Sequence, residues 1–355
     1  MSDRHALLLA ILRSDFVTFV EKCFETLEPG ATYEDNWHVH AIAHQLVRVW
    51  RGESTRLIIN IPPRMMKSIM VTIAFSAWVM GHDPRKRIMA VSYAKSLAGK
   101  HASDFRAIVE SPWFRAAFPD FKIETNRGME IATTARGYRV AESIGGSLLG
   151  RGADLIIIDD PIKGLAAALS ESERRRVPEF YDNTLYSRLN NKAEGAIVIV
   201  MQRLHQDDLV GHVLEKEDWE VLSIPAIATD DTTHPLGPAP SDMYERRAGD
   251  VLHPARENEL ALTRIQRNLG SLNFSAQYQQ NPLPAGGNAI RREWIRWYEE
   301  KPGAFDFTVV SWDTASTTAE ASDWSVGTIW GAVGQEFYLL DVVRGRICRR
   351  PPRRR

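Results

Sequence analysis

Apolar residues recur at Leu8, Leu12, Phe16, Phe19, Val20, Cys23 and Leu27, the spacing of one helical face, and Pro29 and Gly30 close that segment. A second helix is predicted over residues 40–50. The period then changes. Residues 57–61 form a short apolar run, followed by Pro62 and Pro63 and by a long apolar segment, residues 68–80, that stops at Gly81. Strand, turn, helix is the simplest parse. The alternation returns with a strand over 87–93, a helix from 95 to about 110, a strand over 154–159, a charged helix around 171–189 and a strand over 196–201. Continuous apolar strands alternating with helices predict a parallel sheet covered on both faces, an α/β architecture.

From about Pro225 the pattern loosens. Asp230, Asp231, Pro235, Gly237, Pro238 and Pro240 crowd one interval and read as loop. A helix is predicted over 257–279, and Pro282, Pro284, Gly286 and Gly287 read as a linker. Strands over 307–313, 325–333 and 336–343 follow in hairpin-like succession. The tail from Arg349 to Arg355 has no apolar residue outside proline and reads as disordered.

Composition narrows little. With 44% apolar and 25% charged residues in 355, the chain has too many large apolar side chains for a disordered protein. The net charge of -1 announces no global basic field, so any nucleic-acid contact must come from local patches. Cys23 and Cys348 lie far apart, which excludes a disulfide framework and a Cys-rich zinc site and suits a reducing cytoplasm. No run of eighteen uncharged apolar residues is present, so no membrane span is expected.

Chemistry gathers at strand ends. Arg64, Met65, Met66, Lys67 and Ser68 occupy a strand-to-helix turn, where backbone N–H groups aim at an anion. A lysine there can neutralise β- and γ-phosphates, and the neighbouring hydroxyl can ligate Mg2+. The usual glycines are missing, with Ile61 and Met66 at their places. The buried strand 155–158 ends in Asp159 and Asp160, two acids that are costly together without a cation. Asp159 is assigned to Mg2+ through water and Asp160 to the attacking water. Lys67 and the two acids are expected to converge across neighbouring strand tips. Gln202, just after the next strand, is positioned to sense a γ-phosphate. Arg85, Lys86, Arg87, Arg174, Arg175 and Arg176 are candidates for a DNA-facing surface, against solvated faces and turns as the alternative.

Taken together, these residues resemble the large terminase subunits of tailed phages and prophages, whose phosphate loop often reads Pro-Pro-Arg, a variable pair, then Lys-Ser. Residues 150–154, 202–209, 274–282 and 312–315 carry the likeness further in the same order. The resemblance implies a P-loop NTPase with a parallel central sheet flanked by helices, followed by a partial RNase H-like α/β nuclease domain. It implies an ATPase region over 1–225, a lid or linker over 226–288, a shortened nuclease fragment over 289–346 and a basic tail over 347–355. The activity implied is ATP hydrolysis driving double-stranded DNA into a procapsid in the bacterial cytoplasm. The implied partners are portal protein, small terminase subunit and further copies in a ring, with no membrane.

Residue by residue, Lys67 and Ser68 would grip triphosphate and metal, with Arg64, Met65 and Met66 completing the loop. Asp159 and Asp160 would form the acidic motif, although the family more often places Glu second. Gln202 would fall in the coupling motif, Arg151 would act as a finger on a neighbouring subunit's ATP, and Gln45 would read adenine. Asp313 and Asp323 would begin a two-metal site for Mg2+ or Mn2+, and Asp341 could contribute. Because the later acidic elements have no counterpart, little or no DNA cleavage is expected. Two other readings stay open: a nucleic-acid ATPase from outside the family, and a degenerate prophage remnant that binds DNA or nucleotide without turnover.

Overall fold

The amino-terminal periodicity folds as two helices. In the computed structural model, which describes residues 3–148, 150–283, 296–298, 300–313, 325–334 and 336–345, Asp15 is extended and accepts the Thr18 N–H at 2.8 Å. That cap separates α1 (Asp3–Ser14) from α2 (Phe16–Leu27), whose Phe16, Phe19, Val20 and Cys23 are buried. Asn36 caps α3 (Trp37–Trp50) in the same way. Then come β1 (Arg56–Asn60), a π-helical turn over Ser68–Ala74 that continues into α4 (Phe75–His82), β2 (Arg87–Ser92), α5 (Lys95–Glu110) and α6 (Pro112–Ala117).

Three short strands that the apolar pattern did not disclose follow: β3 (Ile123–Arg127), β4 (Glu130–Thr133) and β5 (Tyr138–Ser143). They are short and carry polar or charged residues, Glu124 and Arg127 in β3, Glu130 in β4, Arg139 and Glu142 in β5, so no apolar run marks them. The chain continues with β6 (Leu155–Asp159), α7 (Leu165–Leu169), α8 (Glu171–Phe180) and β7 (Ala196–Met201). The charged helix expected to reach 189 stops at 180 and passes through a π turn and a 3-10 turn, with Pro178 removing one backbone donor. Next are α9 (Leu209–Leu214) and β8 (Glu220–Ser223). The interval read as loop holds a hairpin of β9 (Thr232–Pro235) and β10 (Met243–Arg246). The helix predicted over 257–279 is two, α10 (Glu259–Leu269) and α11 (Ser271–Gln277), broken at Gly270 with φ 78°.

The sheet order is β3-β4-β5-β2-β6-β7-β1-β8. From β5 to β8 every pairing is parallel, and β3-β4-β5 is antiparallel. Alternate residues of the central strands enter different cores: Leu57, Ile59, Ile157, Val198 and Val200 face one side, and Ile58, Ile156, Ile158, Ile197 and Ile199 the other. Helices α1–α4 cover the first face, and Val177 of α8 and Val210 of α9 the second. Burial on both faces is why these strands lack a polar alternation. It also brings Asn60, Ser92, Asp159 and Met201 to one edge, where ligands of such sheets bind.

Contacts divide the chain into Met1–Gly287 and Asn288–Arg355. In the second unit β11 (Phe307–Asp313), β12 (Ser325–Val333) and β13 (Glu336–Gly345) form an antiparallel sheet in that order, with an irregularity between Ile329 and Trp330. The hairpin-like succession predicted for these strands is what the ladder shows.

Candidate nucleotide site

The turn after β1 holds two non-glycine residues in a backbone that usually calls for glycine. Arg64 and Met66 lie in the left-handed region, at φ 65° and 58°. Each such side chain costs roughly 1–2 kcal/mol, a strain typical of functional turns. The buried Met65 anchors the turn in the core, and Arg64 is exposed. Ile61, at the place of the other missing glycine, is fully buried.

Lys67 is buried, and its Nζ donates to Asp160 Oδ1 at 2.8 Å. The strands bearing the two groups are not neighbours, as the sequence reading had them, because β7 runs between β1 and β6. The long lysine side chain bridges that gap. Asp160 itself sits at φ 42°, a conformation that Asp and Asn tolerate best among non-glycine residues. The Gln202 backbone N–H, at the end of the intervening strand, donates to the same Asp160 oxygen at 3.3 Å. The ends of β1, β6 and β7 therefore meet on one carboxylate.

Asp159 points into the interior with no exposure. Its Oδ2 accepts from the Thr72 hydroxyl at 2.6 Å, and its Oδ1 is buried without a hydrogen bond. Burial pushes both acids above the ordinary carboxylate range; the Thr72 hydroxyl and Lys67 pull back on Asp159, and Lys67 on Asp160. An unsatisfied buried Oδ1 is the environment a cation would relieve, and the Ser68 hydroxyl interacts with the same carboxylate, so Ser68 and Asp159 fit a magnesium role. Among the described residues no group of three or more His, Cys, Asp or Glu gathers as a metal site.

Three residues that sequence reasoning missed back this pair. Thr72 lies four positions after Ser68, the one hydroxyl between Ile69 and Phe75, and that was its only signal. His101 Nδ1 is 3.8 Å from Asp159 Oδ2 and 3.3 Å from the Ser92 hydroxyl, and burial lowers its pKa to about 4. Arg139, fully buried, donates to the Thr72 carbonyl at 3.4 Å and lies 4.8 Å over the Phe105 ring; burial lowers its pKa to about 9. Neither His101 nor Arg139 belongs to a pattern visible along the chain.

Two expected residues lie elsewhere. Arg151 sits before β6, at the opposite sheet edge, where it grips Glu130 with two bonds of 2.6 and 2.7 Å and packs on Tyr138. It takes no part in the site of its own chain. Gln45 accepts from Arg48, which pairs with Glu220 at the start of β8. Of the nuclease residues, Asp313 is exposed at the end of β11, and Asp323 falls outside the described residues. Asp313 opposes Val326 and Asp341 opposes Ile329, three positions apart on β12. An odd offset puts the two carboxylates on opposite faces, so Asp341 cannot share a metal with Asp313.

No protein-family model and no curated protein sequence matches the chain. Solved structures do. The large terminase of bacteriophage HK97 aligns over 94% of this chain and 67% of its own, at 12% identity and a TM-score of 0.50. The large terminase of a thermophilic bacteriophage, solved with ADP, aligns over 85% of this chain and 67% of its own, at 10% identity and TM-score 0.39. An ATPase-domain variant of a Thermus phage large terminase aligns over 73% of this chain and 97% of its own, at 12% identity and TM-score 0.45. At these identities the likeness is one of fold alone, and the α/β fold of this chain is similar to that of the HK97 large terminase.

Proposed function

We propose that the chain is an ATPase of the large terminase kind, coupling ATP hydrolysis to the translocation of double-stranded DNA. The observation that carries this reading is the ion pair between Lys67 and Asp160 spanning β7, with Asp159 unsatisfied behind it. A buried lysine aimed at the phosphate edge and held there by a carboxylate is a cation waiting for a better anion. When triphosphate arrives, Lys67 exchanges Asp160 for the phosphates. Asp160, released, accepts the proton of the attacking water. The turn N–H groups from Arg64 to Ser68 orient the phosphates, and Ser68 and Asp159 would hold Mg2+. The bound metal would neutralise charge developing on the phosphate oxygens.

Arg151 remains a candidate for the neighbouring copy's site in a ring, because within its own chain it faces away. DNA, portal protein and a small subunit are the partners this reading assigns. It extends to ATP hydrolysis and not to DNA cleavage. The test is magnesium-dependent ATP hydrolysis by the purified chain, with Lys67→Ala and Asp159→Ala alongside. A fall of at least ~100-fold in both variants is expected, in the range of losing a catalytic charge. Rates equal to the wild type in both would end the proposal.

A further inference from the structure

Two glutamines near the end of the first unit clasp the two residues that follow β7. Gln277 Nε2 donates to Gln202 Oε1 at 3.1 Å, and Gln280 Oε1 accepts the Arg203 N–H at 2.9 Å. Gln280 Nε2 closes the ring by donating to the Gln277 carbonyl at 2.7 Å. Gln280 is buried and takes a left-handed φ of 56°, a strained conformation held by these bonds. Gln202 thus has its backbone on Asp160 and its side chain on α11.

Docking of this segment does not depend on that contact. Gln279 makes two bonds with the Ile227 backbone, both 2.9 Å, and the Ala226 N–H donates to the Tyr278 carbonyl at 2.7 Å. Phe274 and Tyr278 stack at 5.3 Å within a small core with Leu262 and Ala226. The Gln277–Gln202 bond adds nothing that the docking needs. What it does is fix the side chain of the residue whose N–H holds Asp160.

We infer that Gln277 is a positioning residue for hydrolysis: it holds Gln202, and through it Asp160, in the geometry that follows release of Lys67. The inference rests on the ATPase reading above and adds that α11 senses the nucleotide state. Once Lys67 leaves for phosphate, the Gln202 N–H is the remaining bond to Asp160 Oδ1 in this network. Any shift of that carboxylate is then passed to Gln277.

The experiment compares Gln277→Met, Gln202→Met, the double variant and Gln279→Met in the full chain. Methionine keeps the unbranched length and removes the amide. Gln277→Met is expected to lower kcat about tenfold, equivalent to ~1.4 kcal/mol, with the equilibrium Kd for ATPγS unchanged. The double variant should be no slower than Gln202→Met alone, because both remove one interaction. Gln279→Met should lower Tm and leave kcat unchanged. Hydrogen exchange at residues 271–281 should respond to ATPγS in the wild type and not in Gln277→Met. A kcat for Gln277→Met within twofold of the wild type overturns the inference, as does an equal loss in Gln279→Met, which would mean docking alone. Wild-type chain that binds no ATPγS would remove the ATPase reading itself, a result separable from either.

Discussion

At the scale of single residues, the site is governed by what each buried polar atom lacks. Asp159 keeps one oxygen without a hydrogen bond, and Asp160 is held by the cation that substrate would draw away. The left-handed backbone at Asp160 gives a physical reason for aspartate where the resembled family more often has glutamate, since a short polar side chain tolerates φ 42° better. Asp160→Asn suits the same backbone and keeps an acceptor for Gln202, but cannot take a proton. Hydrolysis is expected to fall roughly 100- to 10,000-fold, the usual contribution of general acid–base catalysis. Nucleotide affinity should hold or rise, because Lys67 is no longer paired with a charge. Steady-state hydrolysis and calorimetry on the same preparation check this, and wild-type turnover in the variant would remove Asp160 from the chemistry.

At the scale of elements, periodicity located the central strands and most helices, and failed where a single residue changed the backbone. Asp15 splits an otherwise unbroken apolar stripe by capping a second helix. Gly270 splits another: at φ 78° and ψ 159° it occupies a region essentially reserved for glycine. A Cβ there would meet nothing within 4 Å, so the effect of Gly270→Ala is on the backbone alone. A loss of about 1–3 kcal/mol is expected, read as a lower urea midpoint, with helical circular dichroism rising if α10 and α11 merge. An unchanged midpoint would show that the break is not needed. The strands β3, β4 and β8 escaped because short, partly exposed, charged segments carry no period-two signal strong enough to see.

At the scale of the molecule, buried titratable groups tie stability to pH. His38 is buried beneath the α3 cap, with Nδ1 2.9 Å from Asn36 Oδ1 and His253 at 5.8 Å between ring centroids. Burial, reinforced by His253, lowers its pKa from 6.5 to about 3. The folded state thus favours the neutral ring. Its contribution is complete above pH 6.5 and is lost progressively as the pH falls from there toward 3. Between pH 7 and 5 this one group should remove about 2 kcal/mol. His38→Gln, which cannot titrate, should lose that much less stability over the same interval in urea denaturation; parallel losses in both proteins would contradict the assignment.

The order of chemical signals along the chain was enough to specify an α/β sheet, a strand-to-helix turn at Lys67 and Ser68 and an acidic strand end at Asp159 and Asp160. Those properties are local, because a turn residue, a capping side chain or an apolar strand is read within a few positions. Other features depended on which strands become neighbours. β7 inserts between the loop and acidic strands, Thr72, His101 and Arg139 gather behind Asp159, and Gln277 reaches Gln202 across 75 positions. The same folding carries Arg151 to Glu130, away from Lys67 and Asp160. Side chains distant in sequence have no shared local energy term, so only the packed sheet decides which of them meet.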